Sequence, residues 1–509
     1  MKKLHLWLSL AIILAIPISK SHVMGGEKVF RYVDPWSPKG LDNLKSGFVF
    51  LRMGCLETLV TADYDFSIVP MLASSWKVET DGLTWIFNLR EGVRFHDGSP
   101  LIAKTVVKNL ERARKKKGAL SKAPIASMEA KSPKIVIIRT RAPFSPLPAY
   151  LAHYSSTILG EKSFDAEGNV ARVVGTGPFQ MTGRRGNEEF YFSSYPGYWG
   201  KKASISKLVY HAVKDGQTRA LMAEKGESQI SGILAPSAVG QLRAAPNVEV
   251  LIKPIPRTRL IVLNCGTIFF SDKRVRQAVS YAIDRKAIVD YVLEGLSTPA
   301  TQLIPPTLKA WYHTGLSGYS HDLARANELL EEAGWQRGPD GVRVKEGRRF
   351  KVEMRTYATR PALPLIAEAV QAQLKNVGIE VKIVIGRASR IPEGQKDGSL
   401  QMALLARNLN LVPDPDGVLM ADYHSSRSPG WGAMGWKNTE LDRLIEESRE
   451  AFVMKERRKK NHRILEILNE EVPVVVLNYF EQIVAVQKDV KGYRINPSEL
   501  SYHLENVRW

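Results

Sequence analysis

Apolar side chains recur with the period of an α-helix over residues 269–285, in a stretch that runs on to Gly295. They fall at i, i+3, i+4, i+7 and i+8: Val275, Ala278, Val279, Ala282 and Ile283. Ser271 or Asp272 stands where an N-cap acceptor and an acidic first turn are expected. The pattern predicts one capped, amphipathic helix.

The same periodicities predict further elements along the chain. They are a strand over 28–33, a helix over 47–60, a hairpin strand over 83–90 after a turn at 81–82, a helix over about 102–114, a strand after the turn at 175–178, a helix that begins near 322 and stops at 334, strands over 351–357 and 379–385 around a helix over 362–377, and helices over 441–452 and 456–469 before a strand over 472–477. Strand, helix and strand at these lengths indicate a βαβ unit with parallel strands, and the whole order predicts an α/β protein.

Four blocks of residues resemble one family of proteins. The first contains D-x-R-V-R-Q-A-x-x-Y-A-I-D-R-x-x-I over 272–288, and the second contains L-A-x-S-W-x-V-x-x-D-G-L-T-W-x-F-x-L-R-x-G-V-x-F-H-D-G-x-P over 72–100. The other two run over 175–220 and 322–335. In this order they resemble family 5 of the bacterial extracellular solute-binding proteins, which feed peptide and nickel ABC importers.

The resemblance implies an α/β, two-lobed periplasmic-binding-protein fold with a hinge and an extra β-rich subdomain in the first lobe. The boundaries are then a signal peptide over 1–21, a lobe I core over 27–60, 175–260 and 483–509, the extra subdomain over 61–174 and lobe II over 261–482. We expect the chain to cross between the lobes near 257–264 and 482–487.

The N-terminus has the composition of an export signal. Lys2 and Lys3 precede an apolar run over 4–18, and the small residues that follow suit cleavage after Ser21. The run is shorter than the roughly 20 residues of a membrane-spanning helix, so we expect a periplasmic protein. In that oxidising compartment, Cys55 and Cys265 form either one disulfide or two buried free thiols.

The chain is strongly basic. It has 72 Lys and Arg against 52 Asp and Glu, a formal charge of +20. Such an excess is typical of proteins that bind nucleic acid or acidic membranes, but export argues against nucleic acid as a partner. The densest basic run, 112–117, lacks the aromatic residues that stack on bases and is interpreted as a solvated helix end.

Motifs of catalysis are missing from the sequence. It contains no G-x-S-x-G, no Walker A motif and no H-E-x-x-H, and its ten His residues stand singly. Carboxylate pairs such as Glu331-Glu332 lie on predicted surface helices. We therefore predict a binding protein that is not an enzyme and that has no cofactor and no metal site.

The predicted ligand contacts lie in the polar, Pro-rich loop that follows an apolar strand near 402–406. Loops at strand ends beside a cleft are the usual position of such contacts. We assign Arg407, Asn408 and Asn410 to the site. The alternative role for Arg407 is an ion pair between the lobes.

The resemblance implies that this loop faces the solute. Peptide-binding members carry an aspartate three residues before the Asp-Pro pair at 414–415, where it meets the peptide ammonium group, and this chain has Leu411 there. Arg407 is similar to the arginine that opens the segment in nickel-binding members. His153 takes the place of another arginine of that branch, which would make it a ligand contact. The alternative role for His153 is that of a structural histidine with satisfied hydrogen bonds.

Aromatic and imidazole side chains follow the loop. Trp431 and Trp436 bracket a Gly-rich turn, where they either stack on a solute or pack within a lobe. His424 is a weak candidate for a metal ligand.

The expected function is that of the solute receptor of an ABC importer, a monomer whose partners are a small solute and a permease in the inner membrane. The solute is a peptide or a peptide-like molecule, and the alternative is nickel or a metal chelate. A periplasmic hydrolase or chaperone is the third hypothesis. Arg407→Ala is expected to weaken solute binding and to leave the stability of the solute-free protein nearly unchanged.

Overall fold

The computed structural model describes residues 28–116, 118–427 and 430–509. The predicted signal peptide, 1–21, and the last residue of the basic run 112–117 lie outside the described residues. In the part that is described, none of the helices is both long and apolar enough to span a membrane.

The strands of the described residues are, in chain order, β1 (Val29–Asp34), β2 (Val60–Ala62), β3 (Ile68–Pro70), β4 (Ala73–Val78), β5 (Thr84–Leu89), β6 (Ile125–Ser132), β7 (Ile135–Thr140), β8 (Phe179–Arg185), β9 (Glu189–Ser194), β10 (Lys207–Ala212), β11 (Ile230–Ser231), β12 (Val248–Leu263), β13 (Thr298–Pro299), β14 (Gln336–Arg337), β15 (Arg343–Lys345), β16 (Arg348–Arg349), β17 (Lys351–Thr356), β18 (Glu380–Ile385), β19 (Met402–Asn408) and β20 (Val474–Gln487).

The α-helices of the same residues are α1 (Asn43–Arg52), α2 (Ala103–Lys115), α3 (Leu147–Leu151), α4 (Gly216–Glu224), α5 (Val239–Ala244), α6 (Lys273–Ala282), α7 (Arg285–Ala287), α8 (Leu323–Glu332), α9 (Ala362–Asn376), α10 (Arg390–Asp397), α11 (Asp416–Asp422), α12 (Thr439–Glu450) and α13 (Met454–Glu471).

The protein has a mixed α/β fold whose main sheet runs through both lobes. Its strand order is β18-β17-β19-β12-β20-β11-β1-β10-β9-β8, with β13 added to β20. At one end β17, α9 and β18 form the predicted βαβ unit, with parallel strands in the register Lys351 to Glu380. At the other end β1 pairs in parallel with β10 and β11.

Two long strands join the lobes. β12 and β20 are antiparallel from Val248 opposite Gln487 to Val262 opposite Val474, and their register shifts between Pro254 and Thr258. Before this shift the pair joins the strands of lobe I, and after it β19 of lobe II pairs with β12. We call residues 254–258 of β12 and 479–481 of β20 the crossover. It begins a few residues before the segment 257–264 that was expected from the sequence.

The extra subdomain is built on a four-stranded antiparallel sheet, β4-β5-β7-β6, on which α2 lies. The predicted hairpin is present, since Asp81 accepts hydrogen bonds from Leu83 and Thr84 in its turn. Trp85, Phe87 and Val136 are among the side chains of its buried core. Val412, from the loop after β19 of lobe II, is also buried there. Lobe II therefore reaches into the extra subdomain.

Two predicted helices differ from the observed ones. The helix predicted over 47–60 is α1, which begins earlier because Asp42 caps it and ends before Gly54, whose φ is +69°. The amphipathic helix predicted to run toward Gly295 ends at Ala282. There the chain turns, and Asp284 caps α7 by accepting from the amide of Ala287. A π-helical turn over 288–292 follows.

Candidate functional site

The loop after β19 is held rigidly by its acidic residues. Asp414 pairs with Arg457 at 2.8 Å and accepts a hydrogen bond from the amide of Asp416. Asp416 starts α11 and accepts a hydrogen bond from the Tyr150 hydroxyl group of the extra subdomain at 2.6 Å. The loop is thus bonded to lobe II through Arg457 and to the extra subdomain of lobe I through Tyr150.

A cavity of about 210 Å³ lies beside this loop, between the lobes. Its walls come from both of them: Gly118, Ala119, Lys122, Tyr150 and His153 from the extra subdomain, and Arg407, Asn408, Leu411, Val412, Gly417, Val418 and Ala421 from lobe II. Three of the predicted contacts, His153, Arg407 and Asn408, therefore share one cavity.

Arg407 is both a wall of the cavity and a member of an ion pair. Its Nε contacts Asp422, and its Nη2 donates to Asp422 Oδ1 at 3.2 Å. Asp422 is buried, and the Arg407 side chain is 15% exposed. Within the described residues Nη1 donates no hydrogen bond, whereas Nε and Nη2 both contact Asp422. The partner Asp422 belongs to lobe II, as Arg407 does.

His153 and Lys122 face Arg407 from the other lobe. His153 Nδ1 accepts a hydrogen bond from the amide of Ser155 at 3.1 Å. Burial and, after it, Lys122 lower the pKa of His153 to about 3. The imidazole is therefore neutral with its proton on Nε2, which makes it a hydrogen-bond donor to the cavity. Burial also lowers the pKa of Lys122.

Asn408 and Asn410 tie the loop to the C-terminal segment of lobe I. Asn408 Nδ2 donates to Glu499 Oε2 at 2.8 Å, and Asn410 Nδ2 donates to the carbonyl oxygen of Ser498 at 3.2 Å. Glu499 also pairs with Arg257 at 2.5 Å and with Arg52 at 3.7 Å. Glu499 thus gathers groups from both sides of the crossover.

Three arginines converge on the crossover from different elements. Arg257 and Arg259 lie on β12, and Arg360 precedes α9. Their guanidinium groups lie 5.4, 4.3 and 5.3 Å from the ring centroid of Phe480. Arg360 also lies 4.7 Å from the ring of Trp36 in lobe I. We call these three residues the crossover arginines.

The crossover arginines are buried with few anionic partners. Their exposed fractions are 4, 5 and 4%, and one nitrogen of each is buried without a hydrogen-bond partner. In the described part of the chain the side chains of Arg259 and Arg360 form no ion pair and donate no hydrogen bond, whereas Arg257 pairs with Glu499. Burial, and after it Arg257, lower the pKa of Arg259 to about 9. Burying a charge without an ion-pair partner is costly, and the carboxylate of Glu481 acts on Arg259 only from beyond ion-pair distance.

The other candidates lie elsewhere in lobe II. Trp436 is buried in the core of this lobe, and Trp431 packs half-buried against the same core. His424 contacts Glu446 at 3.3 Å and accepts a hydrogen bond from Ser426. These three side chains are not among the cavity walls. Over the described ranges, no group of three or more His, Cys, Asp or Glu side chains is arranged to hold a metal ion.

Lys122 and the crossover arginines were missed in the sequence. Lys122 stands in a charged, polar segment with no periodic pattern. The crossover arginines left a signal, because Arg257 and Arg259 are two like charges at i and i+2 in an apolar strand, which places both on one face. The two cysteines, for which two states were open, are buried free thiols in the cores of different lobes.

Comparison with known proteins gives consistent matches. The sequence profile of the family described as "Bacterial extracellular solute-binding proteins, family 5 Middle" matches residues 67–430. The dipeptide-binding protein of Escherichia coli K12 is 26% identical over 477 residues, with 86% of each chain covered. The glutathione-binding protein GsiB of Salmonella typhi is 26% identical over 514 residues, with 97% of this chain and 96% of that protein covered.

Among solved structures, NikA from Staphylococcus aureus in complex with Ni(L-His)2 aligns with a TM-score of 0.82 at 23% identity. The alignment covers 94% of this chain and 99% of that one. This similarity shows that the fold is shared along nearly the whole chain.

Proposed function

The chain belongs to family 5 of the bacterial extracellular solute-binding proteins, and from this membership we propose that it captures an anionic peptide or peptide-like solute for an ABC importer. The single observation that carries the choice of an anionic solute is the set of crossover arginines, two of which have no ion-pair partner in the described residues. A carboxylate of the solute would supply the missing partner.

The solute would be held at two places. Its carboxylate would meet Arg259 and Arg360 at the crossover, and a second polar group would meet Arg407, Lys122 and the Nε2 proton of His153 in the cavity. Leu411 stands where peptide-binding members have an aspartate. A free ammonium group would have no carboxylate there, so recognition through anionic groups is favoured over recognition of a peptide N-terminus.

Capture is a closing movement. Both places are lined by residues of both lobes, since Lys122 and Trp36 belong to lobe I and Arg407 and Arg360 to lobe II. A solute that contacts both lobes binds the closed form better than the open one, and this difference in affinity is what shifts the protein toward closure. The reaction is binding without chemical change.

A metal chelate is the second candidate. The related NikA structure holds Ni(L-His)2, and carboxylate groups of a chelate would suit the same arginines. His153 would hold such a chelate through the Nε2 proton, because its Nδ1 lone pair already accepts from Ser155. Direct coordination of the metal by His153 is therefore disfavoured.

The cellular setting follows from the family and the N-terminal sequence. We infer that the chain is exported, acts in the periplasm as a monomer without a cofactor and delivers its solute to a permease of the inner membrane.

Mass spectrometry of solute released from protein purified under native conditions tests the proposal directly. We expect a molecule with at least one carboxylate. A neutral or cationic solute would refute the proposal that the solute is anionic.

Arg360→Met tests the role of the crossover arginines. We expect binding of glutathione, measured by calorimetry, to weaken by about 2–5 kcal/mol, the range for truncating one partner of a buried charge pair. The thermal midpoint of the solute-free protein should stay equal or rise, because the variant removes an unpaired buried charge.

Arg387→Met is the matched control for this experiment. It makes the same change on the same lobe, at an exposed side chain, and should alter neither binding nor stability. A loss of stability in Arg360→Met with unaltered affinity would show that Arg360 serves the fold rather than the solute.

A further inference from the structure

A second set of contacts joins the lobes outside the cavity. It connects the end of α12 and the turn after it, in lobe II, to the extra subdomain of lobe I. The members from lobe II are Arg449 and Phe452, and the members from the subdomain are Trp85, Phe144, Ser145 and the carbonyl group of Lys122. We call this set the clasp.

Arg449 makes most of the clasp. Its carbonyl oxygen accepts hydrogen bonds from the amide and the hydroxyl group of Ser145, at 2.8 and 3.0 Å. Its Nη2 donates to the carbonyl oxygen of Lys122 at 3.0 Å. Its guanidinium group lies 4.9 Å from the ring centroid of Phe144. The backbone of Arg449 is thereby bonded to Ser145, and its side chain contacts Lys122 and Phe144 of lobe I.

The clasp also includes a buried carboxylate. Arg449 Nε lies 3.1 Å from Asp416 Oδ1, and Asp416 Oδ2 accepts from the Tyr150 hydroxyl group at 2.6 Å. Since Asp416 and Arg449 belong to lobe II and Tyr150 to the subdomain, the carboxylate links a cation of one lobe to a donor of the other. The bond from Tyr150 is charge-assisted and therefore stronger than a neutral one, whereas Arg449 and Asp416 form an ion pair without a hydrogen bond.

Phe452 extends the clasp over the surface of the subdomain. Its ring centroid lies 6.0 Å from that of Trp85, although the side chain remains 43% exposed. The next residue, Val453, is 56% exposed. Phe452 therefore contributes to the contact between the lobes while contributing little to the core of its own lobe.

We propose that Arg449 is a positioning residue that sets how readily the lobes close and that never touches the solute. Neither Arg449 nor Phe452 is a wall of the cavity. The clasp stabilises the closed form by the same amount for every solute, so it scales all affinities by one factor and leaves the preference among solutes unchanged. This inference rests on the capture by closure proposed above.

Small-angle scattering of the solute-free protein tests the inference without any solute. The variants are Arg449→Met, which keeps the apolar stem, and Phe452→Ala, which leaves the buried core intact. Val453→Ala is the control, with a similar loss of exposed apolar surface next to the clasp. We expect both clasp variants, and not the control, to shift the distance distribution toward separated lobes. Profiles identical to that of the wild type for both variants would overturn the inference.

Calorimetry with two unlike probes, glutathione and Fe(III)-EDTA, gives the second readout. In Arg449→Met we expect both affinities to fall by the same factor, about tenfold, which corresponds to about 1.4 kcal/mol. A fall for one probe alone would place Arg449 in contact with the solute and refute the inference. Were neither probe to bind the wild type, the proposed function would be in question, and the scattering result alone would decide the role of the clasp.

Discussion

At the scale of the residue, the buried arginines differ in charge pairing. Arg407 is paired with the buried Asp422 and also lines the cavity. Arg259 and Arg360, in contrast, have aromatic contacts but no ion-pair partner within the described ranges. Among the described residues, the same residue type is therefore ion-paired at one place and has no ion-pair partner at the other.

Arg407→Ala should lower both solute affinity and stability. The sequence alone suggested an unchanged stability, but the variant leaves the carboxylate of Asp422 buried and unpaired, which costs about 3–5 kcal/mol. Urea unfolding of the solute-free protein measures this loss. The double variant Arg407→Ala with Asp422→Ala should recover much of it, because no charge is left alone. A single variant as stable as the wild type would show that the pair contributes nothing to the fold.

Glu57 is a buried acid whose titration should be visible in stability. Its carboxylate accepts hydrogen bonds from Thr176, Tyr198 and Trp199 at 2.7, 3.0 and 3.0 Å. Burial nevertheless raises its pKa from 4.5 to about 7. The folded protein therefore holds this proton more tightly than the unfolded chain does.

As a consequence, Glu57 should make the free energy of unfolding decrease as the pH rises from about 4.5 to about 7. Glu57→Gln removes the titrating group, so its stability should fall less steeply over this window. Urea unfolding at several pH values measures both slopes. Equal slopes in the variant and the wild type would mean that Glu57 does not titrate in this range.

At the scale of the element, the Gly-x-Gly-Pro segment before β8 shows how a turn depends on close backbone approach. A Cβ atom at Gly175 would lie 1.9 Å from the carbonyl oxygen of Cys55, and one at Gly177 would lie 2.2 Å from that of Gly54. The segment passes directly over the end of α1, where only a residue without a side chain fits.

Gly175→Ala should destabilise the protein by at least about 3 kcal/mol, since neither backbone segment can yield without moving α1 or β8. Gly183→Ala, within β8, is the control, because its Cβ atom would lie at an ordinary 3.6 Å from Tyr191. Thermal unfolding compares the two. A Gly175→Ala protein as stable as the control would show that the close approach is easily relieved.

Elements with a strong apolar period were predicted well, and their ends were not. The βαβ unit of β17, α9 and β18 and the helix pair α12 and α13 lie within a few residues of their predicted bounds. The break between α6 and α7 was missed because its cause is local: Asp284 competes for the backbone by capping a new helix. The apolar period continues through this cap, so the sequence pattern does not mark where α6 ends.

At the scale of the whole molecule, the family resemblance predicted the α/β fold, and the candidate site was only partly accessible from the sequence. Arg407, Asn408 and His153 line one cavity, and their role toward a solute stays a prediction. The crossover arginines come from segments about 100 residues apart, 257–259 and 360, and only tertiary packing brings them together. Trp431 and Trp436 are aromatic side chains, which are common both in the walls of binding clefts and in lobe cores. Residue type alone therefore does not distinguish the two positions.

The passage between the lobes is a ladder of two paired strands, β12 and β20, interrupted only by short register shifts. Sliding one strand along the other would break the hydrogen bonds of the ladder, whereas bending across the flat face of the pair keeps them. We therefore expect the lobes to open by bending about one preferred axis. After each opening and closing, the facing surfaces of the two lobes should meet again in the same register. Each lobe would thus present its charged side chains to a bound solute in a reproducible orientation. Two flexible linkers would not ensure this.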